Sequence, residues 1–325
     1  MKKTKPSPKK QGRVSSTQRG QFICQEIVSR RLPGATLEVQ TASGEVVSSF
    51  ALQEPTAGHQ ITPDGQWVYA LMGGQVSEVG ILRRLVAVDV GTGAVRDVDV
   101  STSALPAVDD EFVAYFEKDA IVVRKHDGTQ VFGRHLDRLG VLHGGAAHAC
   151  TLLPNGRVAI SCGLRADEMM ADLTLFDISS GREEQRIELP VASSYGSFVP
   201  AALRTDPRGE LVAILGFHAG LSVVDLERGT DVADTYPPDP LDLAGGQPTR
   251  HAHHTYSDLA FDAVGDRVAV VYRPGCLSVW SRNGDVLRQE SIATNPKAQR
   301  IVTFGKDEVA FFDSMGERAI IPVHS

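Results

Sequence analysis

The chain has 325 residues, 42% of them hydrophobic, with 31 Gly, 17 Pro and 4 Cys. That is ample for one large domain with a core of its own and excludes a disulfide-held miniature scaffold. No apolar run approaches the ~18 residues of a membrane-crossing helix and no secretory leader is legible, so a cytoplasmic protein without membrane partners is expected. The formal charge of −7 is uneven: residues 1–20 carry seven Lys/Arg and no acid, leaving 26 basic against 40 acidic residues beyond them. An acidic body argues against nucleic-acid binding by the domain itself.

In chain order, residues 1–19 read as a disordered basic tail, too poor in apolar residues to bury surface. It is expected to solubilise the chain, with weak contact to nucleic acid or a membrane surface as its other role. One domain then covers 20–325. FICQEIV, ATLEVQ and EVVSSF open it as β-leaning runs, and TPDGQWVYAL follows as a turn into an apolar strand. From there two patterns alternate. The first is a run ending in an acidic or polar residue and a glycine: LVAVDVGTG, IVVRKHDG, LTLFDISSG, LSVVDLERG, LSVWSRNG and VAFFDSMG, with LEVQTASG near the start. The second is a turn followed by an apolar strand, as in LPNGRVAISC, DPRGELVAIL and AVGDRVAVVY. Glycine supplies the positive φ such turns need. The strands after the turns do not alternate apolar with polar, so both their faces are expected to be covered. Val113-Ala114, Val158-Ala159, Val212-Ala213 and Val268-Ala269 recur at their centres, where a small side chain lets neighbouring sheets approach.

Four strands repeating every ~40–50 residues are the signature of a propeller, in which sheets that cannot bury both faces alone lean on their neighbours around an axis. The PDG turn, the apolar strand ending in Asp and the closing Gly resemble degenerate WD40 or YVTN-type repeats over residues 20–325. Val88-Asp89, Phe176-Asp177 and Val224-Asp225 stand where that family carries Trp-Asp, and Trp280 is followed by Ser281. The fold expected is therefore all-β: a seven-bladed β-propeller, with six blades as the alternative, of mostly four-stranded antiparallel blades. RIVTFG, EVAFF and RAIIPV are read as the second to fourth strands of a short last blade, adjacent to the first and sharing a sheet with it in one version of the closure.

In such a fold the links from last to first strands and from second to third strands leave on one face. Three long ones stand out: 72–84, 163–173, whose ADEMMADL is expected to form a helical turn or two, and 236–256. Histidines gather in or near them: His143, His148, His218, His251, His253 and His254. One reading is a metal site of His143, His253 and His254 at the channel mouth, and with it a metal-dependent hydrolase or lyase. A sugar- or lactone-binding pocket is a further class. The other reading is structural: His143 and His253 precede Pro154 and Ala263 at the spacing of the turn-bonding histidine that the resemblance implies, whereas His59 lies too close to its own turn. No nucleophile elbow, phosphate loop, dinucleotide fingerprint or CxxC pair is present.

The reading adopted is a non-catalytic, monomeric scaffold with no cofactor and no metal, binding a protein or peptide through the loop-rich face. Tyr195, Arg84, Arg165, Arg250 and Arg273, with the histidines, are its candidate contacts, since Tyr and Arg carry interface energy more often than other residues. Asp89, Asp177, Asp225 and Asp313 are expected to cap turns, and Trp67 and Trp280 to pack between blades. Cys24, Cys150, Cys162 and Cys276 are expected to be reduced; a two-residue turn at Asn155-Gly156 sets Cys150 against Ser161 and parts it from Cys162. The Ala/Gly/Val-rich, Arg-over-Lys body points to a GC-rich bacterial genome.

Overall fold

The structure, a computed structural model, describes residues 14–16, 21–28, 34–77, 80–101, 105–117, 120–135, 148–162, 170–190, 200–216, 221–235, 256–272, 276–291, 300–305, 308–312 and 318–323. These form seven antiparallel sheets whose strands follow one another in chain order. Sheet A holds β1 (Val14–Ser16), β2 (Phe22–Val28), β3 (Ala35–Thr41) and β4 (Val46–Leu52). Sheet B holds β5 (Thr56–Ile61), β6 (Trp67–Ser77), β7 (Gly80–Asp89) and β8 (Val95–Ser101). Sheet C holds β9 (Ala107–Val108), β10 (Phe112–Glu117), β11 (Ala120–Lys125) and β12 (Gln130–His135). Sheet D holds β13 (His148–Leu153), β14 (Arg157–Cys162), β15 (Met170–Asp177) and β16 (Glu183–Pro190). Sheet E holds β17 (Pro200–Thr205), β18 (Leu211–Gly216), β19 (Leu221–Asp225) and β20 (Thr230–Thr235). Sheet F holds β21 (Tyr256–Phe261), β22 (Arg267–Tyr272), β23 (Cys276–Ser281) and β24 (Val286–Ser291). Sheet G has three strands, β25 (Arg300–Phe304), β26 (Glu308–Phe312) and β27 (Arg318–Pro322).

The sheets stand side by side through their first strands. β1 touches β5, β5 touches β9, and the sequence continues through β13, β17 and β21 to β25, which touches β1. Six buried apolar clusters fill the seams A–B, B–C, C–D, D–E, E–F and F–G among the described residues. The second strands show why they fit. Ala70, Ala114, Ala159, Ala213, Ala269 and Ala310 are all essentially unexposed, and Cys24 takes their place in β2. A side chain no larger than a methyl or a thiol at the centre of each double-covered strand keeps neighbouring sheets close enough to exclude water.

Several expectations need correcting. Val14–Ser16, inside the stretch read as tail, form β1 and pair with Gln25, Cys24 and Ile23 of β2. β25 packs on β21 and β1 as the first strands elsewhere pack on each other, so RIVTF is a first strand, and sheets A and G share no strand. The stretch 72–84 is no loop: β6 and β7 run through it as a long hairpin, with Val76 opposite Ile81 and a bulge after Met72. Met170–Leu173 belong to β15 and not to a helical turn; 163–169 lie outside the described residues. At 153–157 the turn is one residue longer than expected, with Leu153 opposite Arg157 and Cys150 opposite Ile160. Cys24 and Cys150 are free and buried.

Candidate interaction faces

One end of the ring is built from tight turns. Between first and second strands the N–H of Gly65, Gly209 and Gly265 donates to the carbonyls of Thr62, Asp206 and Asp262 at 2.9–3.1 Å. Between third and fourth strands Asp89, Asp177 and Asp225 cap as expected: Asp89 Oδ1 accepts from the N–H groups of Gly91 and Thr92, Asp177 Oδ1 from Ser180, and Asp225 Oδ1 from Glu227 and Arg228. The Ser180 hydroxyl, with Ser179, holds the Asp177 carboxyl down to about 2. Asp313 lies outside the described residues.

These turns also bind one another across seams, which places them on a single face. The Asp64 N–H donates to Asp110 Oδ1 at 2.9 Å. Arg134 donates to the Gly181 carbonyl at 3.3 Å, Arg157 to Gly209 at 3.5 Å and Arg267 to Gly305 at 3.4 Å. Arg208 and Asp266 meet at 3.0 Å. Most bonds of this kind run from an arginine to a carbonyl of the neighbouring sheet's turn.

At the B–C seam the cluster is denser. His126 stacks on Trp67, with ring centroids 6.0 Å apart, and Arg96 lies over the same indole at 5.2 Å. The Tyr69 hydroxyl lies 2.9 Å from His126 Nδ1, and His126 Nε2 lies 3.0 Å from the Asp109 carbonyl. A carbonyl only accepts, so Nε2 carries the proton and Nδ1 accepts from Tyr69. Burial lowers the His126 pKa and raises that of Tyr69 to about 12, so the pair is neutral. Deeper in the seam the Tyr115 hydroxyl donates to Asp99 Oδ2 at 2.7 Å while Arg124 bridges both.

A pH dependence follows from His126. Its folded pKa lies below the unfolded value of about 6.5, so the unfolded chain binds the proton first as pH falls. Its contribution to stability is complete above pH ~6.5 and is lost as pH drops from there towards the lowered folded value. In urea titrations across that window the wild type is expected to lose more stability than His126→Gln; parallel pH profiles would refute the assignment.

At the A–B seam His59 is fully buried, its Nε2 3.1 Å from the Cys24 carbonyl and its Nδ1 3.5 Å from Thr56 Oγ1. Glu26 beside it accepts the Thr56 N–H at 2.6 Å. This bond joins strands of neighbouring sheets and is not the turn-bonding role expected of His143 and His253. Burial raises the pKa of the Cys24 thiol, and pushes that of Cys150 up to about 12, so neither is a nucleophile at neutral pH. Among the described residues no three His, Cys, Asp or Glu side chains converge in a metal-binding arrangement.

At the opposite end lie the strand ends that flank residues 136–147, 163–169, 191–199, 236–255 and 292–299, which are outside the described residues. The β6–β7 hairpin also extends there, its strands of 11 and 10 residues against eight or fewer elsewhere among the described strands. His143, Tyr195, His218, His251, His253, His254, Arg165, Arg250 and Arg273 fall on residues outside those described. His148 opens β13 opposite Cys162. Arg84 is the one arginine of the set whose side chain is described, and it corrects the expectation: it lies within β7, not on a loop, with Glu54 at 3.6 Å and Asp97 at 3.4 Å. The arginines and histidine of the turn-rich seams, Arg96, Arg134, Arg267, Arg282 and His126, were not singled out by the sequence. Their signal is weak, an arginine near a glycine turn that only the neighbouring sheet makes meaningful.

No family model and no curated protein matches the chain. Solved structures do. KlAtg21, in complex with the coiled coil of AgAtg16, is similar with a TM-score of 0.68 and 12% identity, over 97% of this chain and 95% of that one. The β-propeller domain of Myceliophteria thermophila Cps50 (Swd1) gives 0.60 and 13%, over 96% of each. Hsv2p of Kluyveromyces lactis gives 0.61 and 12%, over 93% and 89%. The fold is that of a WD40-like β-propeller. At such identities the likeness concerns the fold alone, and Trp67 and Trp280 pack between sheets as expected: Trp280 is buried in the E–F cluster, and Trp67 is half-buried under Arg96 and His126.

Proposed function

We propose that the chain is a seven-bladed propeller, closed by sheet G against sheet A, and that it is a non-catalytic scaffold binding a protein or peptide segment at its loop-rich end. The observation that carries this is the unequal chemistry of the two ends. At the turn-rich end Asp89, Asp177, Asp225, Arg134, Arg267 and His126 are occupied with caps and cross-seam bonds, which leaves little polar capacity for a ligand. Tyr195, Arg165, Arg250, His143, His251, His253 and His254 fall in the stretches between strands that end at the other side, and such stretches on a rigid base are the usual place for recognition loops. One structure of similar fold, KlAtg21, holds a coiled coil.

The test is capture from the native host with residues 238–250 replaced by a Gly-Ser linker of equal length. A stoichiometric partner is expected with the natural chain and a loss of roughly tenfold or more with the linker, at unchanged melting temperature. Elemental analysis of the same preparation checks the competing chemistry. One tightly bound divalent ion per chain, lost in His143→Ala or His253→Ala, would overturn the scaffold reading in favour of a metal-dependent hydrolase or lyase.

A further inference from the structure

Two of the chain's three asparagines, Asn155 and Asn283, precede a glycine; the third precedes a proline. Both are exposed and hold the third place of a turn that the next residue closes. The Gly156 N–H donates to the Leu153 carbonyl and the Gly284 N–H to that of Ser281, and the two glycines have φ of 74° and 90°. In sequence and in turn geometry the pairs are matched. They differ in what braces them.

At 281–285 the Ser281 hydroxyl accepts the N–H groups of Asn283 and Asp285 at 3.2 and 3.1 Å, the Ser281 N–H donates to the Asp285 carbonyl at 2.8 Å, and the Gly284 bond is 3.0 Å long. The other turn begins with Leu153, whose side chain accepts nothing. At that place in sheets B, E and F stand Thr62, Asp206 and Asp262, and each takes main-chain N–H groups on its side-chain oxygen. The Gly156 bond, 3.3 Å, is the longest among the described glycine-closed turns, and such a bond is weak. Nothing beyond its chain neighbours lies within 4 Å of where a Gly156 Cβ would stand, so this peptide nitrogen has room to turn. Arg157 supplies a further element. Its Nε donates to Asn155 Oδ1 at 2.9 Å, and the guanidinium is held from behind by the Gly209 carbonyl at 3.5 Å and Glu184 at 3.8 Å. A donor on that oxygen draws electron density from Cγ and stabilises the negative charge that appears when a nucleophile adds there.

We infer that Asn155–Gly156 is a site of spontaneous deamidation, a covalent modification by water that the fold leaves open here and restrains at Asn283. The Gly156 nitrogen gives its proton to hydroxide and attacks Asn155 Cγ. The N–Cγ bond forms, the Cγ–Nδ2 bond breaks, and the leaving nitrogen takes a proton from water to depart as ammonia, which returns the hydroxide. Water then opens the cyclic imide at either carbonyl and leaves aspartate or isoaspartate at 155. Nothing is oxidised or reduced. Either product sets a carboxylate beside Arg157, in competition with Glu184. Isoaspartate also adds a methylene to the main chain of the turn. Pro154 of that turn packs so closely on sheet E that a Cβ on Gly209 would stand 3.0 Å from its Cδ, so the lengthened loop presses on the D–E seam. The site lies at the turn-rich end, and its chemistry is independent of what the loop-rich end binds.

The test is storage of the whole chain in warm, mildly alkaline buffer, with the deamidated fraction of each Asn-Gly peptide followed by mass spectrometry. In the native protein Asn155 is expected to convert roughly fivefold or more faster than Asn283, the worth of about one hydrogen bond in rate. In urea, where neither turn persists, the two rates are expected to converge. Arg157→Met should slow conversion at 155 and leave Asn283 unchanged. Gly156→Ala, which places a methyl on the attacking residue in open space, should suppress it without unfolding the chain. Four results would overturn the inference: native Asn283 converting as fast as Asn155; a difference that persists in urea, which would assign it to sequence and not to the turns; faster conversion in Arg157→Met, which would make the guanidinium a restraint; or undiminished conversion in Gly156→Ala, which would move the attack off this nitrogen.

Discussion

Asp206→Ala is expected to destabilise the protein by about 3 kcal/mol, several times the cost of removing any exposed turn cap. Asp206 is unexposed at the turn after β17. Its Oδ1 accepts the N–H groups of Glu210 and Leu211, each at 2.8 Å. Its Oδ2 lies 3.5 Å from Arg282 of sheet F, and Gly265 of the same sheet packs so closely that an added Cβ would stand 2.7 Å from that oxygen. Alanine leaves two donors without their acceptor beneath a neighbouring sheet, and a buried donor left unsatisfied costs ~1–3 kcal/mol. The ion pair adds less: Arg282 retains 27% exposure and a second carboxylate, Glu210, at 2.6 Å. Arg282→Ala is accordingly expected to cost about 1 kcal/mol, and Asp206→Asn, which keeps an acceptor, to fall between the two. Urea unfolding of the three variants beside Asp225→Ala, a partly exposed cap worth ~0.5–1 kcal/mol, orders them. Asp206→Ala equal to Asp225→Ala would mean that sheets E and F do not meet at this carboxylate.

That seam shows where sequence reading carries and where it stops. Each blade's turns and paired apolar strands were legible because their causes are local. A glycine at positive φ and an Asp three or four residues before it set the turn, and Val-Ala marks a strand covered on both faces. What failed was decided by neighbours. β1 is three residues in a lysine-rich segment, yet Ser15 is buried, because the strand touches both β5 and β25. RIVTF was read as a second strand, but its place in the sheet is fixed by β21 and β1. At Pro154-Asn155-Gly156 a local signal was available and overlooked. Proline holds φ near −65°, which a two-residue type I′ turn at Asn-Gly does not accommodate one residue later in this register; the Gly156 N–H closes on Leu153 and the loop takes three residues. Of the candidate site, the division into a turn face and a loop face was legible. The cross-seam arginines were not, since nothing in the run around Arg134 or Arg267 says which carbonyl the next sheet will present.

The second large effect is expected at Gly34, between β2 and β3. Gly34→Ala should cost about 3–4 kcal/mol, whereas Gly156→Ala should cost about 1 kcal/mol. Both glycines have positive φ, 106° at Gly34 and 74° at Gly156, so both substitutions pay conformational strain. They differ in what the new methyl meets. At Gly156 nothing lies within 4 Å, and the cost is the dihedral alone. At Gly34 a Cβ would stand 2.3 Å from the Leu52 carbonyl oxygen and 3.3 Å from that of Gln53. These are main-chain atoms at the end of β4, paired through Leu52 with Ala35, and cannot rotate aside as a side chain would. Relief requires β4 to move, and β4 carries Phe50 and Leu52 into the A–B core. The strain should therefore spread: amide exchange in β4 is expected to rise in Gly34→Ala and to stay unchanged in Gly156→Ala. Equal melting temperatures for the two variants would mean that Gly34 does not lie against the β4 backbone, and that sheet A is less tightly seated on sheet B than its buried cluster implies.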